Sequence, residues 1–278
     1  MRQGYRFFVG LLLLLGAQAA LARDYSGGFL VGTQAFAWRE YDGGGNRLLK
    51  ENGSRFTLGG FYGNLTAAPR GWIYRADGDI YFGSVDYDGQ TQSGLPVKTD
   101  VYYSGVRVQG IGGYRFGIGG TQTFGIDLVG GLGLDYWKRN LKDSTTSSGT
   151  PVFGYDEFYS ILYGKLAAGP HFQVGNWRST LHAGLKLPMY TDEYIPNSRS
   201  GFDQSITLHP KGKLWGYVEF SNAFALRGNR TLRVDLYYDS YRFAKSDSTY
   251  ATSGSTLYLV HQPESHMDVI GLRAGLGF

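Results

Sequence analysis

Asp77 and Asp79 stand two residues apart in the run Arg75-Ala76-Asp77-Gly78-Asp79. In an extended chain alternate residues share a face. The two carboxylates therefore sit side by side, as general acid–base chemistry on a water would want if a second acid or a histidine faced them. The run Glu219-Phe220-Ser221-Asn222 offers a hydroxyl beside an acid. A serine needs an adjacent base to become a nucleophile, and the residue two before this one is Glu rather than His. His171 and His182 lie on strand-like stretches, while His209, His261 and His266 lie in or beside polar segments. No ligand spacing among the five supports a metal site. The sequence contains no cysteine, which removes thiol catalysis, disulfides and cysteine–metal sites. No catalytic, metal or cofactor site is expected.

What positions these groups is best read from Thr123 to Trp137. Phe124, Ile126, Leu128, Gly130, Leu132, Leu134 and Tyr136 form one alternate set, and Thr123, Gly125, Asp127, Val129, Gly131, Gly133 and Asp135 form the other. A period of two is a strand. One face is apolar with aromatic residues at both ends; the other is small and polar with two carboxylates. An aromatic–aliphatic–aromatic band fits hydrocarbon between two water interfaces. The stretch reads as one stave of a membrane barrel, apolar side out.

The ends and the composition agree. Arg2 and Arg6 make a basic start, Phe7 to Leu15 a short apolar core, and Ala20-Leu21-Ala22 a small-x-small cleavage pattern. Residues 1–22 read as a cleaved signal peptide, and 23–278 as a single barrel. No later stretch has the ~18 uninterrupted apolar residues of a membrane helix. Charged residues are 18 %, below the ~25 % of soluble domains, and glycine, tyrosine and phenylalanine are abundant, as a barrel wall requires. The net charge of +4 falls to +2 without Arg2 and Arg6, too little to argue for nucleic acid.

Alternating runs place ten strands near 28–41, 54–65, 71–87, 101–116, 123–139, 155–172, 177–190, 213–225, 231–243 and 266–278. The connections 66–70, 117–122, 173–176 and 226–230 are short, with turn pairs Gly119-Gly120, Gly175-Asn176 and Gly228-Asn229. Those at 42–53, 88–100, 140–154, 191–212 and 244–265 are long and polar. Short and long alternate, as periplasmic turns and extracellular loops do in bacterial barrels. Leu257 to Val260 and Ser205 to His209 read as strand extensions above the membrane, with Pro210 at a bulge or edge.

Outward faces carry Trp72, Tyr74, Ala76, Gly78, Ile80 and Phe82; Trp177, Leu181, Ala183, Leu185, Leu187 and Met189; and Leu232, Val234, Leu236 and Tyr238. On the first strand Phe29/Val31 and Leu30/Phe36 compete for the outer face. Trp72, Phe116, Phe124, Phe172, Trp177 and Phe224 form one aromatic girdle at the turn side. Phe56, Phe82, Tyr102, Tyr136 and Tyr238 form another at the loop side.

Ile270, Leu272, Ala274, Leu276 and Phe278 alternate outward in the final run. This resembles the terminal signature of bacterial outer-membrane β-barrel proteins, whose closing strand ends in an aromatic residue. The resemblance implies an all-β, antiparallel up-and-down barrel of about ten strands in the outer membrane of a Gram-negative envelope, exported by its signal peptide. It implies that the strand ending in Phe278 is read by the barrel-assembly machinery, and that lipid and lipopolysaccharide surround the wall.

The opposite parity lists a lumen of Arg55, Arg75, Asp77, Asp79, Arg107, Gln109, Arg115, Asp127, Asp135, Glu157, Lys165, His171, Arg178, His182, Lys186, Glu219, Arg233, Asp235, Asp239 and Arg273. Outward charges near the midplane cost ~2–4 kcal/mol, so strands this charged turn that face inward. Arg115 and Asp127 are expected on diagonal inward positions across their turn. Lys165, His171, Arg178, His182 and Lys186 gather on the sixth and seventh strands, and Glu219, Asp235 and Asp239 on the eighth and ninth. Two interiors follow: a self-neutralising network, or a narrow wet lumen crossed by a transverse field.

Two enzyme families fall within the resemblance. Omptin-type proteases have ten strands and set an Asp pair against Asp-x-His; Asp77 and Asp79 match the first half, and no Asp-x-His occurs. Outer-membrane phospholipases and lipid A deacylases carry His-x-Ser-Asn on the outer face; here Glu219 replaces the base and parity turns Ser221 inward. The expectation is a porin-like, non-enzymatic barrel, either a narrow channel for small polar solutes or a structural barrel with a charge-paired lumen. The alternative is a surface adhesin or receptor, because 191–212 and 244–265 hold Tyr194, Tyr250 and Tyr258 among Ser, Thr and Asp. An outer-membrane hydrolase ranks third.

Overall fold

The computed structural model describes residues 26–66, 68–91, 94–119, 123–228 and 230–278. The expected signal peptide at 1–22, and Gly120 and Asn229 of two turns, lie outside the described residues. Ten long strands make the wall: β1 (Ser26–Tyr41), β2 (Arg47–Gly63), β3 (Gly71–Gln90), β4 (Pro96–Gly117), β5 (Phe124–Leu141), β8 (Asp156–Val174), β9 (Trp177–Ile195), β12 (Trp215–Ala225), β13 (Thr231–Ala244) and β16 (Glu264–Gly277). Short strands decorate the outer loops: β6 (Ser144–Thr145), β7 (Pro151–Val152), β10 (Ile206–Leu208), β11 (Lys211–Gly212), β14 (Thr249–Ser253) and β15 (Thr256–Val260).

Each wall strand pairs antiparallel with the next, and β16 pairs with both β13 and β1, so the sheet closes. Closure removes every free edge, which a sheet in lipid requires because an unpaired backbone group has no water to bond there. Phe278 completes the seam. Its N–H donates to the Gly27 carbonyl at 2.9 Å, and its ring lies 6.2 Å from that of Phe29.

The period-two reading of the wall holds. Leu128 and Leu132 are 52 % and 57 % exposed on the outside, while Asp127 and Asp135 on either side of them are 0 % and 3 % exposed in the lumen. Phe29 and Val31, not Leu30 and Phe36, take the outer face of β1. From Phe124 to Tyr136, at ~3.3 Å per residue and a tilt of ~45°, the apolar band stands about 28 Å tall, the thickness of bilayer hydrocarbon. Beyond it the outer wall becomes charged: Asp268 bridges Arg39 at 2.9 Å and Arg242 at 2.8 Å, and Lys138 meets Asp156 at 2.8 Å.

Strand ends differ from expectation mainly on the loop side. β2 begins at Arg47 and β4 at Pro96, so the first two outer connections shrink to 42–46 and 91–95. Their polar residues are strand, standing above the lipid where both faces can be polar. The other three outer connections are long. Leu257 to Val260 pairs as β15 with β14, and Ile206–Leu208 pairs as β10 with β9, as the alternation there implied.

On the periplasmic side the turn after β2 folds into the mouth. Leu65 and Ala68 are buried with Ile73, Ile111, Val129, Ala167 and Tyr217, which project from five different wall strands. The turn is thus a small plug as well as a connection.

Candidate functional site

The lumen is a stack of layers. At the periplasmic end Arg115 forms a bidentate pair with Asp127, at 2.6 and 2.8 Å, and donates to the carbonyls of Leu65 and Ala68. One guanidinium so ties β4, β5 and the plug turn. Arg115 and Asp127 face each other directly in the register rather than diagonally, because β4 runs on to Gly117 and β5 begins at Phe124, so the connection lies one residue further along the chain than 117–122. His182 adds its Nε2 to Asp127 at 2.9 Å. His171 meets Thr180, not Arg178, since the two-residue turn at 175–176 sets Gln173 against Arg178. Arg178 is half-buried at this mouth.

In the middle layer Arg273 is the hub. It binds both oxygens of Asp79 at 2.7 Å and Asp235 at 3.1 Å, with Asp77 at 3.8 Å. Arg107 shares Asp79 at 2.7 Å, Arg233 takes Asp235 at 2.8 Å, and Arg75 reaches Glu219 at 2.5 Å. The expected basic and acidic sides of the barrel meet instead of facing each other across water. Lys186 pairs with Asp239 on the far side of β12, and Lys165 reaches Glu219 at 3.6 Å. The charges are paired rather than segregated, because unpaired charges in low dielectric are far costlier than paired ones.

Tyrosines fill what the ion pairs leave. Among the described residues Asp135 forms no salt bridge and instead accepts the hydroxyls of Tyr81 and Tyr241, each at 2.7 Å, from other parts of the wall. The Tyr237 ring lies over Gly271 and the Tyr163 ring over Gly133, positions where a Cβ would overlap the ring. These inward glycines let large rings lie against the wall. Tyr237 also carries Arg107 and Arg273 over its face, each at 5.0 Å. Among the described residues Arg55 forms no salt bridge; it bonds Gln34 at 2.8 Å and lies over the Phe36 ring at 4.1 Å.

Above this, Trp38, Tyr103, Trp137, Tyr159, Trp215 and Phe243 pack into a transverse aromatic layer, with Trp137 and Tyr159 stacked at 5.0 Å. On it rests a second charged group. Arg139 binds Glu51 at 2.9 Å and Glu157 at 2.5 Å, and Tyr103 donates to Glu51 at 2.5 Å. Glu40 accepts from the Trp38 indole at 2.8 Å and the Gln262 amide at 3.1 Å. Glu193 completes the group, 1 % exposed. These residues stand level with the charged outer pairs of Lys138 and Arg39, above the apolar band. Burial raises the Glu40 carboxyl to about 7 against the pull of Arg139, with Glu157 and Glu51 pushing the same way. Burial, then Glu157 and Glu40, push Glu193 well up.

Over the group lies a cavity of about 480 Å³, bounded by Glu40, Arg139, Glu157 and Glu193 below and by Phe202, Tyr258 and their neighbours above. Its cap is built from two outer loops. Phe202 meets Tyr258 edge-on at 6.0 Å, Asp203 N–H donates to the Thr252 carbonyl at 2.8 Å, and Ile206, Leu208 and Ala251 are buried beneath.

Of the residues read as lumen-lining, every one but Arg178 is buried inside the barrel. In the upper group, strand parity points inward for Glu157 alone: Glu51 and Glu193 lie in stretches whose composition reads as loop, Glu40 lies on a strand of undecided parity, and the signal for Arg139 is the face it shares with Asp135. Asp77 and Asp79 lie side by side as expected, locked in the ion-pair network. Ser221 is buried in the lumen, 3.4 Å from Glu219.

No family model and no curated protein matches this chain. Among solved structures it is similar to the outer membrane protease OmpT from Escherichia coli, with a TM-score of 0.61 over 93 % of this chain and 97 % of that one. The fold is that of the outer-membrane β-barrel proteins. At 12 % identity the likeness to OmpT shows that fold and nothing about activity. The β domain of the Bordetella autotransporter BrkA is 15 % identical, covers 91 % of this chain and 99 % of its own, and superposes at a TM-score of 0.41, too loosely to argue from.

Proposed function

We propose that this chain is an integral outer-membrane barrel with a closed, charge-paired lumen, a structural wall that offers an outward-facing cup rather than a conduit for solutes. One observation carries the reading. Residues lining an aqueous channel are bathed in water, whereas here the lining from Arg75 to Arg273 is almost wholly buried, with Asp235 at 0 % and Arg273 at 2 % exposure, and the space left among Gln109, Lys165, Glu219 and Arg273 is about 20 Å³, room for about one water molecule. The plug turn below and the aromatic layer above support the same conclusion. Lipid and lipopolysaccharide are the natural surroundings of the apolar band and girdles, and the strand ending in Phe278 is the natural contact for assembly machinery.

The same reading assigns no catalysis. Asp77 and Asp79 already serve arginines, and the carboxylate beside Ser221 belongs to the Arg75 pair. A surface-recognition role gains support from the two outer loops, which hold each other in one shape instead of standing apart.

The chain has no cysteine, so single introduced thiols report on access. Ser221→Cys, inside the barrel, is expected to react with a water-soluble maleimide about 100-fold more slowly than Ser255→Cys at a loop tip, and at the same rate once both are unfolded. Equal rates in the folded protein would mean a wet lumen and end this reading.

A further inference from the structure

The group at the base of the outer cavity is unbalanced. Glu40, Glu51, Glu157 and Glu193 surround a single guanidinium, that of Arg139, whose bonds go to Glu51 and Glu157. Glu40 is held by the Trp38 indole and Gln262. Glu193 is the least satisfied of the four: among the described residues no well-formed hydrogen bond reaches either carboxylate oxygen, and only the Tyr159 hydroxyl stands beside it, although the side chain is almost wholly buried and borders the cavity. Elsewhere in the lumen aspartates and glutamates are met by arginine, lysine, histidine or tyrosine. A buried acceptor left without a well-formed bond is costly, so the exception marks a place where a donor from outside can be received.

The rest of the cavity narrows what that donor is. Its sides are aromatic and aliphatic, with Tyr155, Phe202 and Leu208 among them, and a volume of about 480 Å³ lies within the range of small-molecule sites. Among the described residues no three His, Cys, Asp or Glu side chains converge as metal ligands would. An anion would meet an excess of carboxylates. What fits is one positive, hydrogen-bond-donating head on a small apolar body.

We propose that the cup binds a compact organic cation, a protonated amine on an aromatic or aliphatic body, with its ammonium against Glu193 and Glu40 and its body against Tyr155 and Phe202. Bringing one positive charge offsets the surplus of acid and satisfies these acceptors in a single step. Aromatic side chains add attraction for the cationic head. The inference takes from the closed-lumen reading only that the aromatic layer is a floor.

The test uses the full folded barrel in detergent micelles or lipid nanodiscs, titrated calorimetrically with benzylammonium. Saturable one-site binding is expected, with no saturable binding of benzoate or benzyl alcohol. Glu193→Gln keeps the shape and removes the charge, and should weaken binding by at least about tenfold. Glu40→Gln should weaken it too, and serves if the first variant does not fold. Absence of saturable benzylammonium binding, equal binding of benzoate, or unchanged affinity in both folded variants would overturn the proposal. So would calcium displacing the probe at stoichiometric concentration, which would make the site a metal site. A barrel that binds the probe yet has a wet lumen would refute the closed-lumen reading alone, and a dry barrel that ignores the probe would refute this one alone.

Discussion

Arg273→Ala is expected to destabilise the folded barrel by about 3–5 kcal/mol, because it strips the shared cation from a set of buried carboxylates. Asp79 would lose a two-oxygen contact and keep only Arg107, and Asp235 would keep only Arg233. Asp79 and Asp235 are almost wholly buried, so the loss includes the cost of leaving negative charge in a low-dielectric interior. Urea titration of protein refolded into lipid vesicles, followed by tryptophan fluorescence, gives the midpoint and slope needed. Lys211→Ala is the comparison. Its pair with Asp247 is largely exposed, and surface pairs contribute little, so the titration curve should be unchanged. An Arg273→Ala curve that overlays the wild type would mean that the middle layer does not hold the barrel together.

Leu132→Arg tests the wall from the other side. Leu132 lies between the girdle residues Phe124 and Tyr136 and faces outward. A cation there must sit in hydrocarbon near the midplane, at a cost of about 2–4 kcal/mol, whereas Tyr136→Arg at the interface should cost only about 0–1 kcal/mol. The same vesicle titration measures both. The gradient between the two positions is the informative quantity, since a soluble barrel has none. Equal effects would contradict the placement of the bilayer.

These two residues illustrate what could be read from the sequence. Leu132 is separated from Asp135 and Asp127 by parity alone, and parity is strict wherever one side of a strand meets lipid and the other a polar interior. The membrane-spanning part of the wall was therefore legible wherever one face carries charge, including inward Arg273 and outward Ile270 on the closing strand; on β1, where Leu30 and Phe36 are as apolar as Phe29 and Val31, parity left the outer face open. Legibility ended where the lipid ended. Above the girdle both faces tolerate polar residues, so Lys50, Glu51 and Asn52 resemble a loop although β2 runs through them. Glu193 was hidden by a second effect. A register shift in β9 near Met189 moves the inward face from even positions such as Lys186 to odd ones such as Glu193, and nothing in the local composition announces the extra residue. The lumen aromatics were within reach: Tyr163 shares a face with Lys165, Tyr237 with Asp235, and Trp137 with Asp135. Tyr163, Tyr237 and Trp137 belong to the aromatic cluster that packs above the ion pairs. How Lys186 and Asp239 would meet could not be read, because pairing depends on register across β12 rather than on any one strand.

Planar-bilayer recording of the purified, folded protein tests the closed lumen most directly. Insertions should leave the baseline current flat at both polarities, apart from rare opening of the plugged ends. Uniform, repeatable current steps that vanish with heat-unfolded protein would show ions passing through the barrel, and the charge-paired core described for it would then be wrong.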